Sequence, residues 1–211
     1  MPAALSPRVA YELWADSYPP APHNPLMEVE QSIVNRMIDH ISAARALDVG
    51  SGSGRYLPLL AARASCVVGV DLSMAMLGRS QGRHRVCADA CGLPFRSGSF
   101  GLVNASLMVG DISDLGSWVR EMARVVCRGG HLIYSDFHPS WTARGWQRTF
   151  RTADGAQHVV EFVPHTIDAH LSALEAGGFR IHAIREPRLK IARADLPVVA
   201  IFHAVKDGAV R

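Results

Sequence analysis

From residue 46 onward, short β-prone runs alternate with helical stretches, and this alternation constrains the fold more than any single motif. Residues 46–49, 66–70, 85–87, 100–105 and 131–135 read as strands, the third one weak, with helical patterns over 55–63, 73–80 and 114–126. A parallel neighbour is reached only through a crossover, so strands separated by helices imply a parallel sheet, and right-handed crossovers place helices on both of its faces. Two closing runs, 179–189 and 198–205, lie too close for a crossover helix and must pair antiparallel, as a hairpin on the sheet's edge. The expected fold is α/β: a doubly wound, Rossmann-like, seven-stranded, mostly parallel sheet with an antiparallel C-terminal hairpin strand.

The rest of the chain fits one core of this kind. Its 211 residues are 48% hydrophobic and 19% charged, enough to bury one sizeable interior, so residues 1–211 are expected to form a single domain. Val29, Ile33, Val34, Met37, Ile38 and Ile41 recur at helical spacing over 28–41. The preceding segment "YELWADSYPPAPHNP" is aromatic, acidic and broken by proline, which suggests a short helix and then irregular chain. After residue 137 the rhythm is lost: 139–164 shows no clean period and reads as an insertion or cap over the sheet. A helix over 166–176 follows, with Thr166 as its N-cap and Gly177-Gly178 at its end.

Composition excludes several classes. The net charge of +3 is scattered, with no basic arm, so no nucleic-acid partner is expected. Neither a secretory leader nor an apolar run of bilayer length is present, which predicts a soluble, cytoplasmic protein. Cys66, Cys87, Cys91 and Cys127 read as buried thiols. Cys87 and Cys91 lack a second pair, and the spacings of His158, His165 and His170 match no ligand motif, so no metal is expected.

The stretch "ALDVGSGSGRY", residues 46–56, places bare backbone at the carboxyl end of the first strand, where open α/β sheets bind ligands. Glycine permits positive φ and close approach, and the helix start beyond it offers unpaired N–H groups to a carboxylate or phosphate. Asp71 ends the second strand in "VVGVDLS", where a carboxylate can accept both hydroxyls of a ribose. Asp89 and Ala90 follow the third strand, within reach of an adenine edge. Arg55 stands where a dinucleotide fingerprint would carry its third glycine, which argues against a pyrophosphate ligand.

"ALDVGSGSGRY", "VVGVDLSMAML", "CADACGLPFRSGSFGLVNASLMV" and "EMARVVCRGGHLIYSDF" together resemble the successive motifs of class I S-adenosylmethionine-dependent methyltransferases, over about residues 45–137. The segment "YELWADSYPPAPHNPL" resembles the N-terminal lid of the small-molecule enzymes of that family, as found in quinone and natural-product biosynthesis. The resemblance implies S-adenosylmethionine as cofactor and S-adenosylhomocysteine as product. It divides the chain into a lid and helix (1–42), a cofactor-binding core (43–137), a cap (138–165) and a C-terminal helix and hairpin (166–211). It further implies that Gly50, Ser51, Gly52 and Gly54 close on the methionine moiety with Asp48 near its ammonium group, and that Asp71 holds the ribose. Leu72 and Met76 would pack on the adenine, Asp89 and Ala90 would bind its edge, Asn104 and Ala105 would floor the site, and Tyr11 and Tyr18 would close over it. Asp48, Leu72 and Met76 also have plain structural readings, as a turn brace and core residues.

Methyl transfer from a sulfonium needs alignment and exclusion of water, and a hydroxyl or acidic carbon acceptor needs a base as well. His138 in "SDFHP" is the first candidate, with Asp136 to orient it. A purely binding or bracing role for His138 stays open. Asp111 in "VGDISD" is the second candidate, at a point where many relatives carry histidine. Trp141, Trp146, Phe150 and Phe162 are expected to line an apolar substrate pocket. The leading expectation is O-, N- or C-methylation of a small molecule in bacterial biosynthesis, by a monomer or homodimer. The alternatives are methylation of RNA or protein, a non-catalytic S-adenosylmethionine-binding partner subunit, and an NAD-dependent dehydrogenase. "NASL" at 104–107 replaces the Asn-Pro-Pro-aromatic tetrapeptide of base-amine methylation, and the glycine spacing disfavours NAD.

Overall fold

The computed structural model describes residues 4–191 and 194–208. The chain opens with α1 (Pro7–Trp14) and α2 (Pro25–Ile38) and then enters the sheet at β1 (Ala43–Val49). There follow α3 (Leu57–Ala61), β2 (Ala64–Asp71), α4 (Met74–Arg79), β3 (His84–Cys87), β4 (Phe100–Ser106), α5 (Leu115–Val125) and β5 (Val126–Phe137). A two-stranded hairpin, β6 (Arg148–Arg151) and β7 (Gln157–Val160), precedes α6 (Ile167–Ala176) and β8 (Phe179–Arg185). A second hairpin, β9 (Arg188–Ile191) and β10 (Ala194–Pro197), precedes the last strand, β11 (Val199–Lys206).

The seven-stranded sheet runs β3-β2-β1-β4-β5-β11-β8, with β1 to β5 parallel and β11 antiparallel to both neighbours. The order reverses between β1 and β4, which makes their carboxyl ends the ligand crevice. The expected class holds, with one refinement. Within the expected closing pair, β8 takes the rim and β11 lies between it and β5, its buried run Val199-Ala-Ile-Phe suiting an interior strand.

Each face of the sheet carries its own core. Trp118, Val119, Met122 and Val125 of α5 pack with Tyr134 and Phe202 on one face; Val34 and Ile38 of α2 pack with Leu60, Leu102 and Ile201 on the other. Side chains set the helix starts: Asn24, Ser73, Asp114 and Thr166 each accept a hydrogen bond from the backbone N–H three residues on. Thr166 caps Ala169 as expected, at 3.1 Å.

Three expected elements change. The helix expected over 55–63 is only Leu57–Ala61, since the glycine turn continues through residue 56 before the chain coils. The cap does contain regular structure, the β6–β7 hairpin, whose short alternation is hidden among polar residues. The strand expected over 179–189 breaks at Glu186-Pro187, where proline cannot donate to the ladder, and β9 then leaves the sheet.

The N-terminal segment and the cap share a small core of their own. Leu5 bridges β7 through two 2.8 Å backbone hydrogen bonds, with Val159 and Glu161. Trp14 stacks on Phe150 at 4.9 Å between ring centroids, while Ala10, Phe150 and Val160 are buried together.

Candidate functional site

A cavity of about 680 Å³ opens at the carboxyl ends of β1, β2 and β4, between the sheet, α1 and the two hairpins. One half is polar. Gly50 and Gly52 both adopt positive φ there, at 65° and 53°, so their exposed backbone forms a cradle that side chains would fill. Asp71 accepts from Gly52 N–H at 2.8 Å and Ser73 N–H at 2.9 Å, one bond to each oxygen, so lone pairs remain for ligand hydroxyls. Burial raises the Asp71 pKa, partly offset by those backbone bonds.

Asp48 lies below the turn. Asn104 donates to its Oδ1 at 2.8 Å, whereas its buried Oδ2 has no partner among the described residues. Burial pushes the Asp48 carboxyl up to about 7. A lone buried acceptor beside bare backbone suits a ligand that brings an ammonium group, as the methionine end of S-adenosylmethionine does.

The other half is walled by Phe137, Trp141, Trp146, Leu189 and Ile191. Arg148, on β6, projects into it and pairs with Asp111 at 2.5 Å, both side chains being about 10% exposed or less. The guanidinium also lies over Tyr11 and Phe137, 5.3 and 5.4 Å from their ring centroids. Burial lowers the Arg148 pKa to about 10, which leaves it cationic at neutral pH. Burial drives Asp111 well above its ordinary value, Asp136 and Asp71 add like-charge repulsion, and the Arg148 contact opposes both.

Tyr11, Tyr18, Asp48, Gly50, Ser51, Gly52, Asp71, Leu72, Met76, Asp89, Ala90, Asp111, Trp141 and Trp146 all line this cavity. Several other candidates stand elsewhere. Gly54 faces Ser80 and Leu57, where a Cβ would come within 2.7 Å of the Ser80 hydroxyl. Asn104 supports Asp48 from beneath, and Ala105 is fully buried in the core. The floor is instead Ser106, Leu107 and Met108, because β4 runs further than expected. Phe150 is taken up by Trp14, and Phe162 seals the outside of Gly110 and Phe137.

The His138 and Asp136 pairing is not formed. His138 lies outside the cavity lining, with Nε2 2.9 Å from Glu186 and Nδ1 accepting from Ser140 N–H. Asp136 is buried behind the site: Gly110 and Phe137 N–H groups donate to its Oδ1, and its Oδ2 lies 3.5 Å from His170.

No sequence motif marks Glu30. This fully buried residue of α2 accepts from Tyr56 Oη at 2.7 Å, Arg55 Nη1 at 3.0 Å and Ser135 Oγ at 2.7 Å. Arg55 and Tyr56 line the cavity. Ser135 in turn accepts from the N–H of Leu107, a non-glycine residue held at φ 57°. Such strain costs about 1–3 kcal/mol and persists only where the surroundings enforce it. One signal was available: Glu30 precedes Val34 by four residues and so falls on the apolar stripe of its helix.

The sheet order, the glycine cradle at the switch point and the acid ending β2 define an α/β protein built to hold a nucleoside-bearing small molecule beside an apolar chamber. Residues 47–134 match the family model described as "Methyltransferase domain". Malonyl-[acyl-carrier protein] O-methyltransferase of Legionella pneumophila is 34% identical over 169 residues, 73% of this chain and 57% of that protein. Demethylmenaquinone methyltransferase of Corynebacterium urealyticum is 34% identical over 106 residues, 48% of this chain and 45% of that one. The chain thus spans about half the length of these curated relatives. An S-adenosylmethionine dependent methyltransferase from Mesorhizobium loti superposes with a TM-score of 0.68 at 22% identity, covering 84% of this chain and 97% of that one. The matched domain, the curated relatives and the shared fold support a class I S-adenosylmethionine-dependent methyltransferase.

Proposed function

We propose that this chain transfers the methyl group of S-adenosylmethionine to a small-molecule acceptor held in the apolar half of the cavity. The observation that carries this reading is the division of one cavity into a polar glycine-lined half and an aromatic half beneath the N-terminal segment and the cap. A chamber of this size suits a small acceptor better than a folded macromolecule. The relatives named above act on malonyl-[acyl-carrier protein] and on demethylmenaquinone, and neither of these is a nucleic acid.

In this reading Gly50 and Gly52 cradle the methionine moiety and Asp48 Oδ2 takes its ammonium group. Asp71 accepts the ribose hydroxyls, Leu72 and Met76 flank the adenine, and Asp89 with Ala90 meets its edge. Tyr11 and Tyr18 close the lid. The bound cofactor supplies an electrophilic methyl group on a sulfonium. The chain holds the acceptor in line with it and excludes water. Asp111 replaces His138 as the proposed base, because it faces the chamber and burial raises its proton affinity above that of an ordinary carboxylate. Arg148 orients its carboxylate.

The test is to incubate the chain with S-adenosylmethionine and a panel of phenolic, carboxylic and amine acceptors, and to quantify S-adenosylhomocysteine and methylated product by mass spectrometry. Equimolar formation of both supports the proposal. S-adenosylmethionine binding without transfer to any acceptor, or transfer only to RNA with steep salt dependence, sinks it.

A further inference from the structure

On the α2 face of the sheet, away from the glycine cradle, a second pocket of about 440 Å³ lies between α2, β5, β8 and β11. Its charged and titratable lining is basic from every side: Arg36 and His40 from α2 and its end, His131 from β5, His182 and Arg185 from β8, and His203 from β11. Among the described residues no acidic side chain lines it. Ile33, Met37 and Ile41 form an apolar wall opposite these groups.

The histidines are packed together. His131 Nδ1 lies 2.9 Å from His203 Nε2, so one ring donates and the other accepts, and no hydrogen bond from the described residues occupies the second nitrogen of either. The His182 ring stands 4.7 Å from that of His203, which is 6% exposed. Burial and the two neighbouring imidazoles lower the His203 pKa to about 4, and burial with His182 lowers that of His131. His203 is therefore neutral at neutral pH in the unliganded pocket.

We propose that this pocket binds a small phosphate, either the inorganic ion or a phosphate monoester whose organic part lies on Ile33, Met37 and Ile41. Two guanidiniums and convergent imidazoles supply charge-assisted donors to several oxygens at once. Those guanidiniums repel a metal cation, and among the described residues no three ligand side chains have metal-holding geometry.

The experiment is calorimetric titration of the full chain with inorganic phosphate and with phenyl phosphate, at pH 6 and pH 8 in low salt. Binding at pH 6 that weakens at least tenfold at pH 8 is expected, because protonation accompanies binding. Tighter phenyl phosphate binding identifies a monoester site, and equal affinities identify the inorganic ion. His203→Gln should abolish binding. The surface variants Arg36→Gln and Arg185→Gln, which leave the core intact, should each weaken it several-fold while S-adenosylhomocysteine affinity holds. No phosphate binding at pH 6, affinity unmoved by the arginine variants, or zinc binding with phosphate silent would overturn the assignment.

Discussion

Replacing Glu30 with alanine removes one carboxylate from the interior and strands three donors: the Arg55 guanidinium, the Tyr56 hydroxyl and the Ser135 hydroxyl. Tyr56 cannot respond by ionising, since burial, which the substitution leaves in place, drives its pKa upward. The Arg55–Glu30 pair is nearly dry, at 13% and 0% side-chain exposure, and breaking a buried pair by removing one partner costs about 3–5 kcal/mol. Summing three charge-assisted hydrogen bonds at about 1.5–3 kcal/mol each overshoots that, because Arg55 can turn into the cavity and recover water. The smaller figure therefore governs. For a chain of this length it lowers the midpoint of thermal unfolding by roughly 6–20 °C. Glu30→Gln keeps the shape and an oxygen facing Arg55 and Tyr56, but it loses the charge and turns its NH2 toward Ser135 Oγ, whose hydroxyl must rotate to accept, and it should cost about 1–3 kcal/mol. Thermal and urea unfolding followed by circular dichroism, with and without S-adenosylhomocysteine, measure both variants. Cofactor affinity should fall in the same order, because Arg55 and Tyr56 line the cavity. An alanine variant within about 1 °C of the parent would refute the reasoning.

Asp71→Ala should weaken S-adenosylhomocysteine binding at least tenfold, through loss of charge-assisted bonds to the ribose; calorimetry reads this directly. Asp48 gives two pH signatures. Its folded pKa of about 7 lies above the ordinary carboxylate value, so the native state holds an extra proton in between and stability declines as pH rises through that window, levelling above 7. S-adenosylhomocysteine affinity should rise over the same window as the carboxylate forms, and Asp48→Asn should flatten both slopes in unfolding and binding titrations. Asp111→Asn should reduce turnover about a hundredfold or more with cofactor affinity preserved, as measured by S-adenosylhomocysteine release. Gly110→Ala should destabilise by about 1–3 kcal/mol, since its Cβ would stand 2.0 Å from the Phe162 ring; denaturant unfolding checks it.

What the sequence disclosed is what local chemistry encodes. The glycine turn and the Thr166 cap act within a few residues of themselves, and Asp71, although it reaches across to Gly52, is marked by the apolar strand it ends. The sheet class follows similarly from alternating periods. The Glu30 network is the opposite case: its partners lie 25, 26 and 105 residues away and meet only when α2 folds onto the turn after β1 and the end of β5. Asp111 and Arg148 stand 37 residues apart, on either side of β5, and nothing in "VGDISD" announces an arginine from a hairpin beyond it. His138 misleads for a related reason. Its place after β5 is on the ligand edge, but Glu186, 48 residues on, turns its ring aside.

The small core shared by the N-terminal segment and the cap has a kinetic consequence. Leu5 is laddered to β7, Trp14 is stacked on Phe150, and Ser17 Oγ donates to the Arg151 carbonyl at 3.0 Å. The N-terminal segment and the β6–β7 hairpin are thus tied into one body over the cavity. In the proposed reaction, any movement that uncovers the methylated product also loosens the cover over the spent cofactor, so the two releases are coupled.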